Sequence, residues 1–359
     1  MIKEITAKNQ SSSTIEISKQ ALLHNLRVIK KTVEENVKIM AVVKANAYGH
    51  GDALVSSIIQ ETVDFLGVAS VSEAVTLREK GIHQKILVFA PIQKGEVEIY
   101  SKENLTAVVG SFDELELITT DTEYHIEFDT GMGRLGFYPE DANEILQKLE
   151  QIKNFPSGLM THFACADRPN SESVHNQIQK FETVVGLFRN VYPNIIIHAS
   201  NSGGTLHYEY PFNMVRTGLA MYGYDPARKL NSLKPVLRWA SKVIACKPIK
   251  KGMPVSYDST WTTSEKGFLV IIPLGYADGI PRNLSNKISM YCNGKYLPQV
   301  GNITMDYTML FSKTRVSISS EIEILGMNSS SPEEWATIIS TIPYEILCGI
   351  HPKINRKEV

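Results

Sequence analysis

Across residues 37–223, short apolar runs rich in β-branched residues alternate with longer stretches whose apolar positions recur at helical spacing. A strand buried on both faces reads as a near-continuous apolar run. Such strands alternating with amphipathic helices mark consecutive βα units. Strands are predicted over 38–43, 65–69, 86–89, 105–109, 124–129, 158–163, 195–199 and 214–218. Ser70-Val-Ser-Glu73 and Ser111-Phe-Asp-Glu114 have capping-box spacing and start two of the intervening helices. Eight such units predict an α/β fold, a (β/α)₈ barrel of the TIM type. Periodicity alone leaves an open doubly wound sheet as the alternative.

After the connecting segment from Asp225 to Pro235 the texture changes. Gly252, Pro254, Gly267, Gly275 and Gly301 punctuate short apolar runs, which predicts an all-β half. Asn293-Gly294 lies between two such runs and is a strong two-residue hairpin signal. The expected organisation is a flexible N-terminus over 1–13, a barrel domain over 14–239 and a C-terminal β domain over 240–359. The chain has no internal repeat, and the serine triplets 11–13 and 329–331 read as loop or frayed terminus.

Composition narrows the partners. A hydrophobic share of 43% in 359 residues fills ordinary cores, and a net charge of -1 gives no basic field for nucleic acid or an anionic membrane. A small-molecule partner is expected. The first residues carry no apolar signal-peptide core, and no apolar run approaches the roughly 18 residues a spanning helix needs. The expectation is a cytoplasmic protein without membrane contact. Cys165, Cys246, Cys292 and Cys348 are scattered without Cys-x-x-Cys spacing, which argues against a disulfide framework and against zinc.

The candidate chemistry sits at strand C-termini, where barrel active sites form. Lys44 ends an apolar strand and is followed by the small-residue string Ala-Asn-Ala-Tyr-Gly-His-Gly51. Lysines are mostly solvated, but a lysine at this position faces whatever cavity the barrel mouth builds. Arg134, His162, Ser202 and Arg216 also fall at strand ends.

The string around Lys44 resembles the cofactor-lysine motif of the alanine racemase family. Further motifs of that family follow in order: Asp129-Thr-Gly-Met-Gly-Arg-Leu-Gly136, Thr161-His-Phe-Ala-Cys-Ala-Asp167, Asn201-Ser202 and Met214-Val-Arg-Thr-Gly-Leu-Ala-Met-Tyr-Gly223. Val255-Ser-Tyr257, Pro273-Leu-Gly-Tyr-Ala-Asp-Gly279 and Met305-Asp306 complete the set from the β half. The resemblance covers nearly the whole chain. It implies a pyridoxal 5'-phosphate enzyme that racemises a small amino acid, with alanine expected for cell-wall precursors. It also implies a homodimer with shared active sites.

The resemblance assigns roles. Lys44 would hold the cofactor covalently and, once released, serve one face of the substrate; Tyr257, from the second subunit, would serve the other. Tyr48 would reach the cofactor phosphate together with Ser202 and the amides near Gly203, Gly218 and Leu219. Arg134 would bind the substrate carboxylate, with Tyr276 and Met305 lining the substrate site and Asp306 behind them. Tyr276 keeps the family's 19-residue spacing from Tyr257. Arg216 would face the pyridine nitrogen, with His162 bonded to it. A guanidinium only donates, so the pyridine nitrogen stays unprotonated. That weaker electron sink suits racemisation over decarboxylation or transamination.

Departures from the pattern raise their own questions. Glu127 stands where many members carry a lysine carbamate beside the carboxylate-binding arginine. It is expected to be ionised and to hold Arg134 permanently. Asp258-Ser-Thr-Trp261 replaces the common Gly-Ala-Thr-Tyr, and Pro352 replaces a pocket tyrosine, which leaves side-chain specificity open. Serine is the closest alternative substrate, since a small pocket rejects an added hydroxyl only weakly. A non-catalytic cofactor carrier would not need Tyr257 or the β half. A decarboxylase would call for an acidic residue where Arg216 stands.

Overall fold

The structure, a computed structural model, describes residues 13–152, 154–209 and 212–359. The chain forms two compact units. One holds Lys19–Tyr48 and Asp52–Lys234; the other holds 13–18, Gly49–Gly51 and Pro235–Val359.

After β1 (Ser13–Ile17), the first unit is built on β2 (Lys38–Val42), β3 (Phe65–Val68), β4 (Lys85–Pro91), β5 (Leu105–Val109), β6 (Glu123–Glu127), β7 (Gly158–Met160), β8 (Ile196–His198) and β9 (Met214–Thr217). These eight strands close into a parallel barrel, which removes the open-sheet alternative. Both predicted helix starts are capped by their serine, while the glutamate three residues on bonds the amide before the N-cap (Ala69 N, Gly110 N) instead of closing the reciprocal half of the box. Ser70 Oγ accepts from Glu73 N at 3.3 Å, and Ser111 Oγ accepts from Glu114 N at 3.3 Å. Inside the barrel Met40, Phe65, Leu87, Val108, Met160 and Met214 pack as one buried layer. The two strands missing from that set, β6 and β8, contribute His125 and His198, both fully buried.

The second unit contains β10 (Leu237–Lys242), β11 (Ala245–Ile249), β12 (Pro254–Val255), β13 (Trp261–Thr262), β14 (Gly267–Ile272), β15 (Ser289–Cys292), β16 (Lys295–Pro298), β17 (Thr308–Ser312), β18 (Glu321–Leu325) and β19 (Asn355–Glu358). Its large sheet has the order β16-β15-β18-β10-β1-β19, and β11-β14-β17 form a smaller one. β15 and β16 make the predicted hairpin, with Asn293 at φ 48 and Gly294 at φ 82 as its two left-handed turn residues.

The unit boundaries differ from the expectation at both edges. β1 pairs antiparallel with β10 and parallel with β19, so residues 13–17 lie in the β unit. β10 starts at Leu237, before the expected break. A strand's sheet is set by partners hundreds of residues away, which local patterning does not carry. Of the expected flexible segment 1–13, residues 1–12 lie outside the described residues. Arg238 on β10 draws Glu16, Glu321 and Glu323 into one charge cluster. Among the described residues no helix is long and apolar enough to cross a membrane, and no group of three or more side chains is arranged to hold a metal ion.

Candidate active site

Lys44 leaves the C-terminal end of β2 with its Nζ 5.6 Å from the Phe89 ring centroid. The chain then makes a left-handed turn: Ala45, Asn46, Ala47 and Tyr48 have φ between 52 and 54. Left-handed helical backbone costs L-residues roughly 1–2 kcal/mol each, and no glycine relieves it here. Outside contacts hold the turn. Asn46 Oδ1 accepts from Asp52 N at 3.2 Å, and the Tyr48 ring lies 5.2 Å from that of Tyr222.

The expected phosphate donors converge after β8 and β9. Ser202 Oγ accepts from Gly218 N and Ala220 N, both at 3.1 Å, which leaves its own hydrogen to donate. A Cβ on Gly218 would lie 2.6 Å from the Tyr48 hydroxyl, so the missing side chain is what lets Tyr48 reach this corner. The Gly218 amide, expected to meet the phosphate, is spent on Ser202 in this arrangement. Leu219 is buried next to it.

Arg216 lies within β9, is 2% exposed and, among the described residues, finds only neutral acceptors. Nη1 donates to His198 Nδ1 at 2.8 Å and His198 O at 3.1 Å. Nη2 donates to Thr161 O at 2.8 Å, Ala199 O at 3.0 Å and His162 Nδ1 at 3.0 Å. Because a guanidinium has no acceptor, both histidines must present bare Nδ1 atoms and carry their protons on Nε2. His198 Nε2 then donates to His125 Nδ1 at 2.8 Å, and His125 Nε2 carries the last proton, buried and without a partner among the described residues. Burial, followed by the Arg216 charge, holds His162 and His198 well below the ordinary imidazole value. His125 is pushed down to about 3 by burial, Lys85 and Arg216. Burial lowers Arg216 to about 10, with Glu127 opposing the shift and Arg134 adding to it, so it remains a cation near neutrality.

Glu127 closes β6 at 5% exposure and lines a cavity of about 220 Å³ together with Arg134, Glu114 and Phe89. The expectation of a permanently ionised carboxylate is corrected here. Burial pushes its pKa up to about 7; Arg216 and Arg134 pull it down only partly, and Asp129 and Glu114 push it up. Arg134 is held through its backbone. Asp129 Oδ1 accepts from the amides of Gly131, Met132 and Gly133 at 2.9, 2.8 and 3.1 Å, and Oδ2 accepts from Arg134 N at 3.0 Å. Those four bonds keep Asp129 below the ordinary carboxylate range although burial opposes them.

In the β unit Tyr257 follows β12 and is 70% exposed. Ser256, Asp258 and Ser259 around it all have positive φ, and Asn302 Nδ2 donates to Tyr257 O at 3.0 Å and Asp258 Oδ2 at 3.1 Å. Tyr257 and Ser256 edge a depression of about 790 Å³ with Met253, Tyr307 and Met309. Tyr276 N donates to Thr304 O at 3.0 Å and Ala277 N to Met305 O at 3.1 Å, which brings Tyr276 beside Met305. Asp306 is exposed next to it. Pro352 is exposed, and its carbonyl accepts from Arg356 Nη1 at 2.9 Å.

The structure thus gathers Lys44, Tyr48, His162, Ser202, Arg216, Gly218 and Leu219 at or beyond the C-terminal ends of the barrel strands, with Arg134 and Glu127 beyond and at the end of β6. Pyridoxal 5'-phosphate fits these residues: an amine, a hydroxyl pair at a corner a Cβ would fill, and a buried donor-only cation. Sequence reasoning gave no role to His125, His198 or Asp129, and read Glu73 only as part of a helix start. His125 and His198 sit singly inside short barrel strands, where a histidine reads as a filler; only the spatial partner reveals the pair.

Family models for the alanine racemase N-terminal and C-terminal domains match residues 17–226 and 236–358. The chain is 35% identical over 368 residues to the alanine racemase of Nostoc sp., covering 95% of this chain and 94% of that one. The alanine racemase of Clostridium difficile 630 superposes with a TM-score of 0.90 at 31% identity, covering 97% and 95% of the two chains. That of Bartonella henselae, solved with covalently bound pyridoxal phosphate, gives a TM-score of 0.86 at 26% identity, covering 97% and 99% of the two chains.

Proposed function

The chain belongs to the alanine racemase family, and from that premise we propose that it interconverts L- and D-alanine with pyridoxal 5'-phosphate held at Lys44. The observation that carries this reading is Arg216, a buried cation bonded, among the described residues, only to carbonyls and neutral imidazoles. An acidic residue there would protonate the pyridine and favour other fates of the substrate. Bound in this mouth, the cofactor supplies a sink for the electron pair left when the α-proton departs.

The chain's own groups do the rest. Tyr48 and Ser202 hold the phosphate, Arg216 donates to the ring nitrogen, and Arg134 takes the substrate carboxylate in a charge-assisted pair. Inverting a stereocentre needs a proton removed on one face and returned on the other. Lys44 Nζ serves the face lost by D-alanine, and the Tyr257 hydroxyl of a second subunit serves the face lost by L-alanine, so the working unit is a homodimer with shared sites. Tyr276 and Met305 border the substrate. Its exposure suits Tyr257 to completing a neighbour's site. A cytoplasmic enzyme supplying D-alanine for peptidoglycan precursors is the role this activity fits. Serine is the second substrate to consider, since Pro352 removes a hydroxyl-bearing side chain from the family's pattern.

The test is one assay of racemisation and α-hydrogen exchange over a panel of amino acids with the cofactor-loaded protein, alongside Lys44→Ala. Alanine should turn over fastest, and the borohydride-reducible cofactor link should vanish in the variant. A cofactor firmly linked to Lys44 with no exchange on any amino acid would make the chain a carrier instead.

A further inference from the structure

Glu73 is the third residue of the helix Val71–Glu79, which Ser70 caps. The helix that Ser111 caps shows what a glutamate at this position does when its role is local. Glu114 accepts from Gly110 N at 2.8 Å and from Ser111 Oγ at 2.9 Å, so both oxygens serve their own helix start. Glu73 does otherwise. Its Oε2 accepts from Ala69 N at 2.7 Å, the counterpart of Gly110, while Oε1 reaches out to Ala45 N at 2.8 Å. One carboxylate therefore ties the loop after β3 to the loop that carries Lys44.

Ala45 N belongs to the same rigid peptide plane as the Lys44 carbonyl. Fixing the direction of that N–H fixes ψ of Lys44. Val43 N donates to Gly67 O at 2.9 Å on the preceding side, so the lysine backbone is held from both flanks. Ala45 is also the first residue of the left-handed turn, a conformation that persists only where surroundings over-determine it. The Asn46 and Tyr48 contacts secure the far part of the turn; the Glu73 bond secures the part joined to the lysine.

We propose that Glu73 is a positioning residue for Lys44, setting the direction from which its amine meets the substrate α-carbon. The proposal rests on the reading that Lys44 bears the cofactor and the proton. A lysine side chain has four rotatable bonds, and proton transfer needs its nitrogen within hydrogen-bond reach of the proton. Releasing the peptide at the root of that side chain broadens the amine's positions without removing it.

The test uses full-length, cofactor-loaded wild type, Glu73→Gln and Glu73→Ala. Glutamine keeps the shape and one acceptor, so it satisfies one of the two amides; it decides the question should the alanine variant fail to fold. Borohydride reduction and peptide mapping first locate the cofactor in the wild type. A link elsewhere than Lys44 overturns the parent reading and this proposal with it. With the link at Lys44, kcat should fall about tenfold or more in Glu73→Ala and less in Glu73→Gln, with KM changed by less than about threefold. The two enantiomers are equal in free energy, so kcat/KM must fall equally in both directions and cannot say which base was disturbed. The primary deuterium isotope effect can. It should rise on α-deuterated D-alanine, where Lys44 breaks the C–D bond, and fall on α-deuterated L-alanine, where that bond is broken before the slowed step, while amides of the 44–48 segment exchange faster with solvent. An isotope effect that rises equally for both enantiomers, or amide exchange like that of the wild type, would overturn the proposal.

Discussion

Replacing Glu127 by glutamine tests the corrected view of the barrel mouth, because it keeps shape and removes titration. In the folded chain burial moves this carboxyl from 4.5 to about 7, against the pull of Arg216 and Arg134 and with a push from Asp129 and Glu114. Between those values the folded protein holds a proton that the unfolded chain has released. The sign follows: the stability contributed by protonation is full below about pH 4.5 and is lost as pH rises through 7. At 1.36 kcal/mol for each pH unit of displacement, the loss is about 3 kcal/mol in all, of which about 2–3 kcal/mol falls between pH 5 and 8. Glutamine has no such dependence. Urea unfolding of both proteins at one protomer concentration, from pH 5 to 8, should show the Glu127→Gln variant gaining about 2–3 kcal/mol relative to wild type across the range. Holding concentration fixed keeps subunit association out of the comparison. A difference that stays flat to within about 0.5 kcal/mol would refute the burial argument. In activity, wild-type kcat/KM should gain a limb as Glu127 ionises near pH 7 and pairs with Arg134, and the variant should lack it.

Three further outcomes are expected. Tyr257→Phe should keep the cofactor and lose racemisation by about 10²- to 10⁴-fold, with some exchange surviving on D-alanine, and mixing inactive Lys44 and Tyr257 variants should restore activity if sites are shared; a loss below about tenfold would remove Tyr257 from the mechanism. Bicarbonate should leave wild-type activity unchanged, since Glu127 stands where a carbamate would need carbon dioxide; activation measured on adding it would contradict this. Gly158→Ala would place a Cβ 2.6 Å from the His125 ring and should cost about 1–3 kcal/mol in unfolding experiments, unless the barrel can shift there.

The barrel strands were legible because most are short apolar runs between helical stretches, and the helix starts at Ser70 and Ser111 because capping is local. Lys44 was legible from its motif. The turn after it was not: Ala-Asn-Ala-Tyr has no glycine and good right-handed propensity at its alanines, so only tertiary contacts explain its handedness. Glu127 was legible as a residue inside a barrel strand. Its protonation was misjudged because desolvation, which depends on the closed barrel around it, outweighs two nearby cations. Asp129 and Glu73 carry ordinary acidic positions in the sequence, and their work shows only in the amides they collect.

The placement of β1 bears on how the chain is made. Thr14 lies opposite Ala240 on one side and Asn355 on the other, so the first described strand has no sheet partner until most of the polypeptide exists. At roughly 5–20 residues per second of synthesis, β1 waits tens of seconds while the whole barrel emerges after it. The barrel is in effect an insertion between two strands of another domain's sheet, free to close on the ribosome. The β sheet is completed only after translation reaches its final strand, and until then β1 is an exposed edge in need of shielding.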